Sequence, residues 1–328
     1  MIDWSQKTIL VTGGTGSFGR QFVATMLEKF KPKKVIIFSR DELKQHEMRT
    51  SGFDHPSLRY FIGDVRDVDR LRRAMNGVDI VVHAAALKQV VACEYNPIEA
   101  VKTNIDGARN IIEASIDAKV QKVLALSTDK AVSPVNLYGA TKLVAEKLFI
   151  QANAYVGGGA PKFSCVRYGN VVGSRGSVVP VFLEQRKTGR VTVTDKRMTR
   201  FWITLEDGVK LVTNGLERMH GGEIFVPKIT AMNIMDLVKI VAPSCVVDEV
   251  GIRPGEKLHE ALLSDEEATH TVDAGEQYVV LPVHPWWPND AWKNAVPVGS
   301  EFRYVSNLDG NWMTEEQLRA MVRSYENP

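Results

Sequence analysis

Thr8-Ile9-Leu10-Val11-Thr12-Gly13-Gly14-Thr15-Gly16-Ser17-Phe18-Gly19 is the stretch on which the reading of this chain turns. A short β-branched apolar run feeds three glycines, Gly13, Gly16 and Gly19, at the spacing G-x-x-G-x-x-G, and an amphipathic segment follows. Glycines so placed serve a tight turn, close approach of backbone to a pyrophosphate, and packing of the next helix on the strand. The free N–H groups and dipole at that helix's N-terminus favour an anion. A glycine triplet alone says little; between a strand and a helix it predicts a dinucleotide-binding βαβ unit, with Gly13, Thr15, Gly16, Ser17, Phe18 and Gly19 around the pyrophosphate.

Working outward, further apolar runs at Lys34–Ser39, Leu58–Ile62 and residues 79–84, 122–127 and 163–168 alternate with longer amphipathic stretches. That rhythm predicts an α/β fold, a doubly wound parallel (Rossmann) sheet covered by helices on both faces. After Asn170 it changes. Residues 173–190 carry glycine and then turn helical, 191–195 read as a short extended piece, and Leu205–Arg218 reads as helix, which suggests an interleaved smaller α/β substrate lobe. The expected division is 1–172 for the Rossmann domain, with 200–228 returning to it, and 173–199 plus 229–328 for the lobe and a C-terminal tail. Residues 284–292 hold three of the six tryptophans among prolines, and read as a packed aromatic tail or a subunit contact rather than a ligand platform.

Composition excludes several classes. With 328 residues, 44% hydrophobic and 24% charged, the chain can bury a large core. A net charge of +2, from 41 basic and 39 acidic side chains, provides no field for nucleic acid or an anionic membrane. The basic clusters at 31–34 and 70–73 read as solvated faces. Cys93, Cys165 and Cys245 are odd in number and far apart, which suits plain thiols in a reducing compartment and no metal site. No apolar run approaches the ~20 residues of a membrane span. A cytoplasmic enzyme without a membrane anchor is expected.

The end of the second strand selects the dinucleotide. An acidic side chain ~20 residues past the glycines usually serves NAD. Here Ser39-Arg40 stands instead, with Lys44 one turn on and Asp41 between them. A hydroxyl and a guanidinium suit a 2′-phosphate, so NADP is expected before NAD. Asp64, after the third strand, either accepts from the adenine amino group or caps the next helix; Val65 and, after the fourth strand, Ala84 and Ala85 complete the expected cofactor set.

The chemistry is written in Ser127-Thr128-Asp129-Lys130-Ala131 and Asn136-Leu137-Tyr138-Gly139-Ala140-Thr141-Lys142. Tyr138 and Lys142 are four apart, so on a helix they share a face, where an ammonium can favour a phenolate. An unperturbed phenol titrates near ~10, and a base for a hydroxyl proton near neutrality needs such help. Asp129 and Lys130 follow an apolar strand at the carboxyl end of the sheet, where ligands bind in such folds. The plainer reading of that pair is a salt-bridged loop.

Taken in order, the glycines, Gly63-Asp64, His83-Ala84-Ala85-Ala86, Lys102-Thr103-Asn104, Tyr138-x-x-x-Lys142 and Arg167-Tyr168-Gly169-Asn170 resemble the extended short-chain dehydrogenase/reductase family. Within it, Ala86-Leu87-Lys88, Glu94-Tyr95-Asn96-Pro97, the two stretches above and Val250-Gly251-Ile252-Arg253-Pro254-Gly255-Glu256-Lys257-Leu258-His259-Glu260 resemble the inverting UDP-N-acetylglucosamine 4,6-dehydratases that lead to pseudaminic acid. The family's pattern would place His at Gln89 and Pro at Val91.

The resemblance implies a tightly held NADP recycled at each turnover, UDP-N-acetylglucosamine as substrate, and a homo-oligomer, with a hexamer among the possibilities. Tyr138 would take the O4 proton while the nicotinamide takes the C4 hydride, and Thr128 would orient O4. The ketone acidifies C5, where neutral Lys130 would be the base. Protonated Asp129 would be the acid for the departing O6 hydroxyl, and the hydride would return to C6 without net oxidation. Neutral Lys130 requires local desolvation or a nearby positive charge. Lys88, Asn170, Arg175, Arg200, Arg253 and Glu256 would read the nucleotide sugar. Lys88 and Asn104 could equally be structural. A retaining dehydratase, a C4 epimerase, or a non-catalytic NADP sensor are the alternatives.

Overall fold

The structure is a computed structural model describing residues 2–157, 159–172, 178–284, 290–308 and 310–326. Strands β1 (Thr8–Thr12), β2 (Lys34–Ser39), β3 (Leu58–Ile62), β4 (Ile80–His83), β5 (Lys122–Thr128) and β6 (Lys162–Tyr168) lie in the order β6-β5-β4-β1-β2-β3, all parallel. This is the expected doubly wound sheet. Its central strands are buried from end to end, as β1 and β4 are at every residue, because helices cover both faces. Two separate apolar cores result. One gathers Leu10, Val81, Val123, Phe149 and Phe163; the other gathers Ile9, Val82, Phe22, Leu124 and Leu216.

The chain order reverses between β1 and β4, and the resulting crevice at the strands' carboxyl ends is where this fold takes its ligands. Thr12 braces that crevice. Its hydroxyl accepts from the N–H groups of Ala84 and Ala85, both at 3.2 Å, so its own proton goes to His83 Nδ1 at 2.8 Å. Burial drives the His83 imidazole down to about 3, which keeps it neutral and able to accept.

The division of the second half differs from expectation. Ile224–Pro227 pairs parallel with β6 and Leu205–Arg218 packs on the sheet. Thr199–Ile203 does not return; it joins Asn170–Val171 and Ala231–Asn233 in a three-stranded sheet. Residues 229–328 are not all lobe and tail either. Thr271–Asp273 and Gln277–Val280 form a hairpin about Gly275 that extends the main sheet antiparallel, and Val296–Pro297 closes its edge. The buried side chains Val272, Val279 and Val280 drive this addition, yet three- and four-residue runs carry no sequence mark of the strand they will pair with.

A third apolar core forms the smaller lobe: Val179 and Phe182 of Val178–Arg186, Val191 and Val193 of Arg190–Val193, Leu237 and Val241 of Ile234–Val241, and Leu318 of Glu315–Glu326. Of the aromatic tail, residues 285–289 lie outside the described residues. Trp292 is buried in a T-shaped contact with Phe225, 6.0 Å between centroids, and the Arg218 guanidinium lies over its ring. Among the described residues no helix is long and apolar enough to cross a membrane.

Candidate active site

Every described residue expected at the site, Asp129 excepted, lines one cleft of about 1020 Å³ that runs from the glycine loop to the smaller lobe. Its nucleotide end is shaped by missing side chains. Gly13 sits at φ +66°, and a Cβ there would lie 3.0 Å from the Ala85 backbone; a Cβ on Gly19 would lie 2.5 Å from the Gly14 backbone. Gly16 caps the helix Ser17–Thr25 and offers no side chain to its first-turn N–H groups, which stay open to an anion.

At the rim, Thr15 and Ser39 share a hydroxyl hydrogen bond of 3.0 Å. Arg40 lies 3.4 Å from Asp64, and Lys44 pairs with Asp41 at 2.7 Å. Asp64 caps no helix. Its carboxylate takes the Arg66 N–H and guanidinium, while Asp67 caps Val68–Ala74. Arg66, Arg40 and the hydrogen bonds hold Asp64 below the ordinary carboxylate range against the opposing cost of burial.

The reactive end is built by β5 and the helix Leu137–Ala152. Past Thr128 the strand turns through the short Asp129–Ala131 helix, and Asn136 caps the longer one by accepting from the Gly139 N–H at 2.7 Å. The next turn explains why glycine follows Tyr138: a Cβ on Gly139 would collide with the Lys130 carbonyl oxygen. Asn136 also donates to the Gly255 carbonyl at 2.7 Å, which ties the 250s segment to the helix. Asn104 is structural. It brackets the Leu87 N–H and carbonyl, both at 2.9 Å, and donates to Thr141.

Tyr138 is buried, and burial pushes its phenol up to about 12, against the pull of the Lys130 charge and a hydrogen bond with Thr128. The ammonium acting on this phenol is thus Lys130. Lys142, expected in that part, donates to the Leu126 carbonyl at 2.7 Å, and burial lowers it below the ordinary lysine value.

Lys130 departs from expectation more sharply. Burial favours the neutral amine, but Asp129 Oδ1 at 3.0 Å and Glu260 Oε1 at 3.4 Å outweigh it and hold the group above the ordinary lysine value. It is an ammonium in this site, also donating to Asn170 Oδ1 at 3.4 Å. Asp129 does not face the cleft. It is fully buried behind Thr128 and Lys130, both of which donate to its Oδ1, and its Oδ2 has no hydrogen-bond partner.

Among the expected substrate residues, Lys88, Asn170, Arg200, Arg253 and Glu256 line the lobe side of the cleft, and Arg175 lies outside the described residues. Arg200 is largely committed: its guanidinium donates to the Thr199, Leu258 and Lys257 carbonyls. Two residues on the cleft wall were not foreseen in any role. Glu260 and Lys257 stand about 130 positions from Lys130 in sequence, and only the turn that brings the 250s against Asn136 makes them neighbours. Among the described residues no three His, Cys, Asp or Glu are grouped to hold a metal ion.

Residues 9–282 match the model of a family described as polysaccharide biosynthesis protein. A Campylobacter jejuni protein named UDP-N-acetylglucosamine 4,6-dehydratase (inverting) is 50% identical, the match covering 98% of this chain and 99% of that protein. A Rickettsia conorii protein named UDP-glucose 4-epimerase is 45% identical over 83% of this chain and 82% of its own. The solved structure of Pen from Bacillus thuringiensis superposes with a TM-score of 0.90 at 36% identity, covering 99% of both chains.

Proposed function

From the premise that this chain belongs to the polysaccharide biosynthesis protein family, we propose what its cleft does: it is an inverting UDP-N-acetylglucosamine 4,6-dehydratase. The observation that carries this reading is the meeting of Thr128, Lys130, Tyr138 and Lys142 with the glycine loop on one cleft; the 50% identity with the C. jejuni dehydratase over nearly the whole chain supports it.

The cofactor read from the cleft is a nicotinamide dinucleotide, NADP before NAD. The cradle fits the pyrophosphate, since Gly16 leaves the first-turn N–H groups of the helix Ser17–Thr25 without a side-chain cap, and Gly13 and Gly19 let the loop pack where a Cβ would meet the Ala85 and Gly14 backbone. Ser39, Arg40 and Lys44 would hold a 2′-phosphate, and Asp64 the adenine edge. When bound, the nicotinamide supplies reversible two-electron oxidation, taking hydrogen from sugar C4 and returning it at C6.

The protein's part is the protons. Tyr138 takes the O4 proton, helped by the charge of Lys130, because a phenol at about 12 is a poor base near neutrality. The C4 ketone then acidifies C5, and Lys130 removes that proton once its own has left. The O6 hydroxyl leaves as water on a proton passed by the Thr128 hydroxyl, which lines the cleft 2.8 Å from Asp129 Oδ1, and protonated Asp129 replaces that proton on Thr128. Arg253, Glu256, Arg200, Asn170 and Lys88 face the nucleotide sugar from the lobe. The finer readings of a homo-oligomer and of a product feeding pseudaminic acid rest on the sequence resemblance, and that of a cytoplasmic enzyme on composition.

The test is incubation with UDP-N-acetylglucosamine and substoichiometric NADP. Loss of water with many turnovers per cofactor is expected. A C4-epimerised sugar that keeps its O6 would instead fit the activity in the R. conorii protein's name, and stoichiometric cofactor consumption a plain reductase.

A further inference from the structure

Lys130 must lose a proton before it can act, and Asp129 is a poor destination because Thr128 already donates to the oxygen it offers. The other partner is Glu260. It is 2% exposed, lines the cleft, and places Oε1 3.4 Å from Lys130 Nζ, while its buried Oε2 has no hydrogen-bond partner. Buried polar atoms are as a rule hydrogen-bonded, so an unpartnered carboxylate oxygen on the cleft wall calls for an explanation. The groups that face it are Asp129, Lys130, Arg200 at 3.9 Å and Lys257 at 4.0 Å. Its backbone is fixed from behind: the Glu260 N–H donates to Ser306 Oγ and the Ser306 N–H to the Glu260 carbonyl, both at 2.8 Å. The side chain is therefore held against Lys130 and has one oxygen without a hydrogen bond.

We propose that Glu260 is a positioning residue for Lys130, holding its ammonium at the cleft wall in the resting site and taking its proton when the amine acts on the sugar. The transfer balances within the pair: an N–H bond of Lys130 breaks, an O–H bond forms on Glu260, and a neutral amine and carboxylic acid replace two charges. Burial and the neighbouring Asp129 raise Glu260 above the ordinary carboxylate range, which makes it receptive. The inference rests on the dehydratase reading above.

Two measurements test it. Lysine labelled with 13C at Cε is followed through a pH titration in the parent, Glu260→Gln and Glu260→Asp, with Lys130→Arg assigning the signal. Removing an opposite charge this close lowers the Lys130 midpoint by about 1 to 3 units in Glu260→Gln, with Glu260→Asp between. In turnover, Glu260→Gln lowers kcat at least tenfold with KM within about twofold, moves the acidic limb of the kcat profile the same way as the midpoint, and Glu260→Asp restores part of the rate. An unmoved midpoint, or a moved midpoint with parental rate and pH profile, overturns the proposal. A midpoint that falls in a protein whose parent form never dehydrates the sugar supports the pairing and sinks the dehydratase reading instead.

Discussion

Replacing Lys130 by Met removes the ammonium from between two buried carboxylates and should destabilise the protein in a pH-dependent way. Asp129 is fully buried and Glu260 nearly so, while the Lys130 side chain is 24% exposed. Breaking a buried ion pair by deleting one partner costs about 3 to 5 kcal/mol; partial exposure puts this case near the lower end, about 3 kcal/mol. For a chain of this length, roughly 2 °C of Tm per kcal/mol gives a fall of about 6 °C.

The sign with pH follows from the shifts. In the parent, Lys130 titrates above its unfolded value, so the stability it contributes is complete below the ordinary lysine range and is lost as pH rises through the raised value. Glu260 is raised above its unfolded value even beside Lys130, so the folded state binds more protons than the unfolded one across that window. Without Lys130 the window widens upward. The variant's deficit should be full at pH 8 and shrink as pH falls through the raised carboxyl range towards the ordinary one near ~4.3. Thermal unfolding of the parent, Lys130→Met and Lys130→Arg from pH 4 to 9 reads this directly, with Lys130→Arg close to the parent. A deficit that does not vary with pH, or a Met variant as stable as the parent at pH 8, would refute the electrostatic account of the site.

Tyr138→Phe should lower turnover about 10²- to 10⁴-fold while dinucleotide binding by fluorescence titration stays within about threefold, because the ring still fills its buried place; parental turnover would remove Tyr138 as the base. Arg40→Ala should weaken NADP by about tenfold and leave NAD nearly unchanged, a loss of about 1.4 kcal/mol read from the two dissociation constants. Gly139→Ala forces a methyl onto the Lys130 carbonyl, so it should cost about 1 to 3 kcal/mol in denaturant unfolding and at least tenfold in turnover.

Much of the fold was legible because the signals were local. Each apolar run from Thr8 to Tyr168 is long enough to declare a strand, and each expected boundary falls within one or two residues of the observed one. The glycine loop was legible for the same reason: spacing alone says where a side chain cannot fit. The hairpin at 271–280 was not, since short runs do not name their partners. At the site, sequence placed Thr128, Lys130, Tyr138 and Lys142 together because fifteen residues and one helix turn link them. It missed the charge state of Lys130, to which Glu260 adds across 130 residues what neighbouring Asp129 begins, and it faced Asp129 into a cleft that Thr128 and Lys130 shield from it. Electrostatics between segments distant in sequence is a property of the packed molecule and leaves no periodic mark.

The most direct test is proton NMR of the sugar nucleotide during turnover in deuterated water. Purified protein given UDP-N-acetylglucosamine and substoichiometric NADP should form a 4-keto-6-deoxy sugar of L-arabino configuration with deuterium at C5. Its C6 methyl should contain the hydrogen that began on C4. A sugar that keeps its O6 hydroxyl, or a methyl group without that hydrogen, would contradict the account; a D-xylo product would leave dehydration standing and remove the inversion.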